Sequence, residues 1–481
     1  MVAALLSLGL AGCRTLLDPT YSSSVGPSNT PQTVAELEKD DPRARLGARE
    51  HPRIVASYGG EFNDPRVERQ LARIVGALTL VSENPKQTYR ITILNSPAVN
   101  AFALPGGYLY ITRGLLALAN DSSEVAAVIA HEMAHVTANH GLQRKQREEA
   151  AVIASQVAAE VLSSRIAGQQ ALARSRLRLA AFSRQQELEA DVIGIRMLGR
   201  AGFDAYAAPR FLRSMGAYSR FQAHESDNDP TLDFLSTHPD APKRLELAIR
   251  EASAFGPPGT GTRDRDAYLQ SISGLLYGDS PNEGYVRGRT FLHPNLGIRF
   301  SVPTGFRIDN TAQAVLATGP GDLAIRFDGV PNRRRMSLDD YLSSGWVTGL
   351  DPTSVEDIRI GDLEAAKARA SAGEWDFDVT VIRLGNRIYR ILTAAPLGSG
   401  RLEATANEVR DSFREMTPAE IAGLQPLRIE VLTSASGDTE RSLASRMRGT
   451  DRRLELFRLL NALEPGQTVA AGTEVKIVTD R

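Results

Sequence analysis

The pentapeptide His131-Glu132-Met133-Ala134-His135 constrains this chain more than any other feature. It lies in a run, Ser122 to His140, that predicts one helix. Asp121 and Glu124 stand at capping-box spacing, apolar Val125, Ala126, Val128 and Ile129 precede the motif, and Gly141 follows it. Positions i and i+4 of a helix share a face. His131 and His135 therefore offer two imidazoles to one zinc ion, with Glu132 beside them as a general base. A catalytic zinc needs a third protein ligand, so another element must cross this helix.

A glycine three residues after His135 and a histidine three further on would supply that ligand locally, but Ala138 and Gly141 stand there. His140 lies about 140° around the helix from His135 and reads as a surface histidine or one behind the ligands. The better candidate is a second helical run that begins Ser183-Arg184-Gln185-Gln186-Glu187 and continues through Asp191, Ile193, Met197 and Leu198 to Gly202. Glu187 and Asp191 are four apart and share a face. Glu187 can bind the metal while Asp191 takes the second N–H of a ligating histidine and fixes its tautomer. Glu189 points about 200° away from Glu187 and is expected to face solvent.

His131 to His135 followed by Glu187-Leu188-Glu189-Ala190-Asp191 and Gly194 resembles the gluzincin family of HtpX, BepA and the CAAX prenyl endopeptidases. Asn100 to Gly107 is similar to the strand and hairpin before that family's zinc helix, and Ser236-Thr237-His238-Pro239 with Arg244 to its His-Pro…Arg element. The resemblance covers about residues 45 to 250. It implies a zincin-type metallopeptidase with one Zn2+ held by His131, His135 and Glu187, Glu132 as the base and Asp191 behind the ligands. The oxyanion of peptide hydrolysis needs further donors. His238 and Arg244 are the candidates, and His238 could instead reach the metal. Asn100, Ala101, Phe102 and Ala103 form the candidate edge strand to which an extended substrate adds. The Ala- and Arg-rich residues 144 to 182 are expected as a helical hairpin broken near Gly168, either a lid or a packed pair.

Val2 to Leu10 is mostly apolar, and Leu10-Ala11-Gly12-Cys13 resembles a bacterial lipobox, which makes Cys13 a lipidation site. Nothing basic precedes the apolar stretch, as a start site placed too far downstream would explain. Residues 1–13 are thus expected as a signal segment and 14–44, rich in Ser and Pro, as a flexible tether. Arg14 after the cysteine implies outer-membrane sorting in the lipoproteins this resembles. With one cysteine there is no internal disulfide. No later stretch reaches about 18 consecutive apolar residues, so the expectation is a periplasmic protein held by a lipid. The balance of 56 basic and 57 acidic side chains gives no sign of nucleic-acid binding.

The fold class expected is multidomain α+β. A mostly helical metalloprotease domain with a small sheet occupies 45–255. A Pro/Gly-rich linker spans 256–286, an antiparallel α+β domain that resembles the PsbP-like fold spans 287–416, and a βααβ module that resembles LysM spans 426–481. Strand periodicity at Gly297 to Pro303, Leu323 to Phe327 and Trp375 to Val381 carries the middle assignment. Gly437-Asp438-Thr439 and the final Val475-Lys476-Ile477 carry the last. The LysM resemblance implies a peptidoglycan partner. No tetratricopeptide array at 34-residue spacing is present. The reading is a zinc metalloendopeptidase acting on unfolded or misfolded envelope proteins. The alternative is a non-cleaving, chaperone-like or peptidoglycan-anchored binding protein.

Overall fold

The computed structural model describes residues 42–161, 165–223, 238, 242–332, 336–450 and 452–480, without the side chains of 42, 154–161, 165–182, 223 and 242. The expected signal segment with Cys13, and the tether as far as residue 41, lie outside the described residues. The tether's expected end falls inside helix α1 (Pro42–Ser57).

Helix α2 (Pro65–Val81) starts where Asp64 accepts from the Arg66 N–H and Pro65 presets the first turn. Val67, Leu71, Ile74 and Leu78 form its buried stripe. Three strands follow, β1 (Arg90–Leu94), β2 (Ala101–Leu104) and β3 (Tyr108–Thr112), in the order β1-β3-β2. β1 runs parallel to β3, and β2 antiparallel. The β2–β3 turn needs glycine: Gly106 and Gly107 have φ of 90° and 88°, and a Cβ on Gly107 would meet the Thr88 carbonyl at 2.1 Å.

Helix α3 (Arg113–Leu118), capped by the Thr112 side chain, leads into helix α4 (Ser122–Thr137), which carries the histidine pair. Residues 122–134 of α4 are buried on every side, so the helix is a core element rather than a half-buried one. Polar bonds fix its start. Asp121 accepts from the Glu124 N–H at 2.9 Å and Glu124 reaches back to the Asn120 N–H at 2.8 Å. Arg210 and Arg263 both donate to Asp121.

Helix α4 ends three residues earlier than the sequence pattern suggests. Asn139 takes φ 55°, the left-handed region that asparagine tolerates, and a new helix, α5 (His140–Val161), begins. α5 packs against α6 (Arg165–Arg200), which also packs on α4. The second helix starts at Arg165, three residues before Gly168, so the pair divides near the expected place. The run expected to start near Ser183 is the later half of one long helix. Helices α7 (Ala207–Ala223) and α8 (Pro242–Ser253) pack on α4 and α6 respectively.

The stretch 256–286 is not merely a linker. It contains helix α9 (Arg265–Ile272), whose Tyr268, Leu269 and Ile272 are buried, and strand β4 (Leu276–Tyr277). The Tyr268 hydroxyl donates to the Leu116 carbonyl. The Pro/Gly signal marked turns on either side of an eight-residue helix too short to show a period.

The middle domain is antiparallel α+β. Strands β5 (Arg307–Asn310), β6 (Val315–Gly319), β7 (Leu323–Pro331), β8 (Glu356–Ile360), β9 (Leu363–Ala372), β10 (Trp375–Leu384) and β11 (Arg387–Pro396) form one sheet, ordered β8-β9-β10-β11-β7-β6-β5. Alternation buries both faces. Ala365, Ile382 and Ile391 face one core, while Ala366, Val381 and Ile388 face another beneath the short helix Leu338–Leu342.

The C-terminal unit is βααβ: a strand Leu427–Thr433, helices Glu440–Ser445 and Arg453–Leu460, and a strand Glu474–Thr479. The two strands pair antiparallel, and the first also pairs with β4. This unit does not stand apart. Its Ile429, Leu443, Phe457 and Ile477 share one hydrophobic core with Leu71, Leu116, Val125 and Ile129 of the histidine-bearing domain. Lys476, fully buried, donates to the carbonyls of Ala117, Leu118 and Ala119 at 2.8, 3.0 and 2.6 Å. It closes the C-terminal end of α3, where carbonyls lack helical partners.

Candidate metal centre

The i, i+4 spacing on α4 brings the His131 and His135 Nε2 atoms 3.1 Å apart. Helix α6 lays Glu187 across them, its Oε2 3.3 Å from His131 Nε2 and its Oε1 3.5 Å from His135 Nε2. Zinc bonds of about 2.0–2.1 Å place tetrahedral ligand atoms about 3.3 Å apart, so the three separations fit a single zinc ion. Glu187 Oε1 is buried and accepts no hydrogen bond, an orphan that a cation would satisfy. His238 joins the group. Its Nδ1 lies 2.8 Å from Glu187 Oε2 and 3.3 Å from His131 Nε2. Ligating atoms of all four residues fall within 4.8 Å of one another.

Each ring has a partner behind it. Asp191, one turn after Glu187, sits 3.0 Å from His131 Nδ1. Arg244 of α8 donates twice to Asp191, at 2.7 and 2.8 Å, and to the His238 carbonyl at 3.2 Å. The partner of His135 is His140, which takes the second of the two places the sequence left open for it, behind the ligands. His140 is buried, its Nδ1 is 2.9 Å from His135 Nδ1, and its Nε2 faces Glu189 at 3.4 Å. His140 is not among the converging ligand atoms, as the 140° offset implied, but it is the turn at Asn139 that carries it behind His135. The asparagine before His140 was the available signal for a break. Glu189 is exposed as expected, yet it completes this relay.

Electrostatics follow from burial and proximity. Burial pushes the Glu132 carboxyl above its usual range, as suits a base that must hold a proton in transit. Burial also works against ionised Glu187, but His238 and His131 outweigh it and hold the carboxyl far below its ordinary value. Burial opposes a charge on His131 as well, yet hydrogen bonds to Asp191 and Glu187 lift its pKa to about 10. Burial, then the neighbouring His131 charge, drive His135 well down.

Strand β2 is an edge. No strand pairs with its outer side among the described residues, whereas β1 is bridged by Glu61 at Leu94. The edge begins at Ala101. Asn100 lies before it and is buried, with its N–H and carbonyl both bonded to Thr112, so it has no main-chain group to offer a peptide. Phe102 and Ala103 are half-buried.

Residues 64–252 match the sequence profile of Peptidase family M48. The Beta-barrel assembly-enhancing protease of Escherichia coli (strain K12) is 29% identical over 232 residues, covering 46% of this chain and 46% of that protein. The Mitochondrial metalloendopeptidase OMA1 of Schizosaccharomyces pombe is 32% identical over 206 residues, covering 42% of this chain and 58% of that protein. The chain thus matches about half the length of these curated relatives. A solution structure of cyanobacterial PsbP from Synechocystis covers 30% of this chain and 93% of that one at 13% identity, but its TM-score of 0.18 is too low to argue a shared fold. The matched span, residues 64–252, takes in both helices that meet over the histidine pair, and this part of the chain is similar to Peptidase family M48.

Proposed function

We propose that this chain is a zinc-dependent metalloendopeptidase that hydrolyses unfolded or misfolded proteins of the bacterial envelope. The observation that carries the reading is the meeting of His131, His135 and Glu187 beside a buried, unbonded Glu132 Oε1. Two relatives whose names describe proteolysis support it. His131, His135 and Glu187 would hold the zinc, which supplies Lewis acidity toward the scissile carbonyl and the attacking water. Glu132 accepts the water's proton and delivers it to the leaving amine. Asp191 and the pair His140–Glu189 hold the imidazoles in orientation. Arg244 was expected to donate to the oxyanion. Its bonds to Asp191 and the His238 carbonyl make it an orienting residue instead, because those donors are already engaged. His238 Nε2, 3.5 Å from Glu132 Oε1, remains the candidate donor. Its place among the ligand atoms also supports a second role, as a fourth ligand in a resting site. Ala101 to Ala103 would pair with an extended substrate through main-chain bonds, which favours unfolded segments over a strict sequence.

Purified protein incubated with an unfolded labelled protein, with and without chelator, tests this reading. Glu132→Gln should lower turnover about 10²–10⁴-fold while zinc content stays at one per chain. Equal cleavage by the variant would overturn the mechanism.

For the rest of the chain we propose a lipid anchor at Cys13, outer-membrane placement, a PsbP-like scaffold in the middle domain and a LysM-like C-terminal unit that contacts peptidoglycan. These rest on sequence resemblance. No helix among the described residues is long and apolar enough to cross a membrane. Palmitate labelling that persists in Cys13→Ala would exclude the anchor, and failure to sediment with peptidoglycan would exclude the glycan contact.

A further inference from the structure

Beside the metal centre, at the end of strand β2, lies a pocket of about 40 Å³. It is lined by Ala103 and Leu104 of β2, by His135 and Val136 of α4, and by Leu142 of α5. All five are half-buried, so each keeps part of its surface open. Arg43 of α1 and Asn139 line the pocket too, and Arg43 Nη1 donates to Asn139 Oδ1 at 3.2 Å. That bond ties α1 to the turn after α4 and holds the pocket at this size.

The lining places the pocket on the path of a bound chain. A peptide paired with the outer edge of β2 advances about 3.3 Å per residue. Its scissile carbonyl must reach the cation that His135 would hold. His135 belongs to both the centre and the pocket, so a side chain next to the cut bond comes within reach of the pocket. Successive side chains of an extended peptide point to opposite faces, so only one of the two residues that flank the bond can enter. Volume sets its size. One water takes about 10–15 Å³ of such space, so the pocket holds about three heavy atoms. That is the side chain of valine. Alanine enters with room to spare, and leucine and phenylalanine overrun it. Resting on the peptidase reading above, we propose that this pocket selects a small apolar residue, alanine or valine, on one side of the bond that is cut. Main-chain pairing then binds unfolded segments broadly, and this one side chain decides where they are cut.

A mixture of unstructured peptides, cut by the zinc-loaded full chain and read by mass spectrometry, tests the pocket. One position beside the cut should favour Ala and Val over Leu and Phe by at least about tenfold in kcat/KM. Leu142→Ala enlarges the pocket and should raise cleavage with Leu at that position about tenfold, with the rate on Ala peptides unchanged. No size preference at either flanking position, or a Leu142→Ala profile identical to that of the parent, would overturn the proposal. Binding of the same peptides to zinc-loaded Glu132→Gln, read by fluorescence anisotropy, separates the pocket from the peptidase reading. Tighter binding of Val than of Phe peptides, without cleavage by the parent, would uphold the pocket and sink the peptidase. Cleavage without a size preference would do the reverse.

Discussion

His131 faces two carboxylates, Asp191 at 3.0 Å and Glu187 at 3.3 Å. With its pKa at about 10 it is doubly protonated at neutral pH. A cation needs the Nε2 lone pair, so that proton must leave. His135, its pKa driven down, is already neutral, and Glu187 is already ionised. Zinc binding at pH 7 should therefore release about one proton. The apparent affinity should rise by up to about tenfold per pH unit and level off near the His131 value. Calorimetry in two buffers of different ionisation heat reads the proton directly. A heat independent of buffer, with an affinity flat in pH, would show that His131 carries no displaceable proton.

At the scale of elements the decisive contact is between α4 and α6. Glycine inside a helix costs about 1 kcal/mol relative to alanine, yet Gly194 sits within α6, six residues before its end. The reason is close approach: a Cβ there would lie 3.0 Å from the His131 nitrogen and 3.1 Å from its Cα. Those are backbone atoms of a buried helix and cannot swing away. Gly194→Val should force the helices apart, destabilise the domain by about 1–3 kcal/mol, and carry Glu187 and Asp191 away from the histidines. Urea unfolding and zinc titration of the variant check both effects. Unchanged zinc affinity beside reduced stability would separate helix packing from site geometry.

At the scale of the whole molecule, the C-terminal unit completes the core of the domain that carries the histidine pair. Lys476→Met would strand the Ala117 and Ala119 carbonyls at the end of α3, one turn before α4 begins, and leave Leu118 with only the Asn120 amide. Each unsatisfied buried group costs about 1–3 kcal/mol. The urea midpoint should therefore fall sharply, by at least about 2 kcal/mol of stability, without a change of slope. Removing residues 426–481 would uncover Leu71, Leu116 and their neighbours, so the truncated chain should be insoluble or lose cooperative unfolding. A truncated chain that folds and binds zinc normally would show that the unit is a detachable module.

Local chemistry was legible in the sequence. The histidine pair and Glu132 are set by helical spacing alone, and the Glu187–Asp191 pair by the same spacing on a second helix. The period of two in the middle strands is equally local, because alternation needs only the pleat. Tertiary structure decided the rest. Asn139 ends α4 and turns His140 behind His135, a choice between helix and left-handed turn that the local sequence leaves nearly balanced. Arg244 became a clamp on Asp191 because α8 packs on α6, a contact between segments far apart in the chain. The C-terminal unit, with a βααβ pattern that reads as self-contained, joined the core around the histidine helix because its Ile429, Leu443, Phe457 and Ile477 bury against Leu71, Leu116, Val125 and Ile129. Spacing along a chain fixes which side chains share a face, but only the packing of distant segments fixes what that face meets.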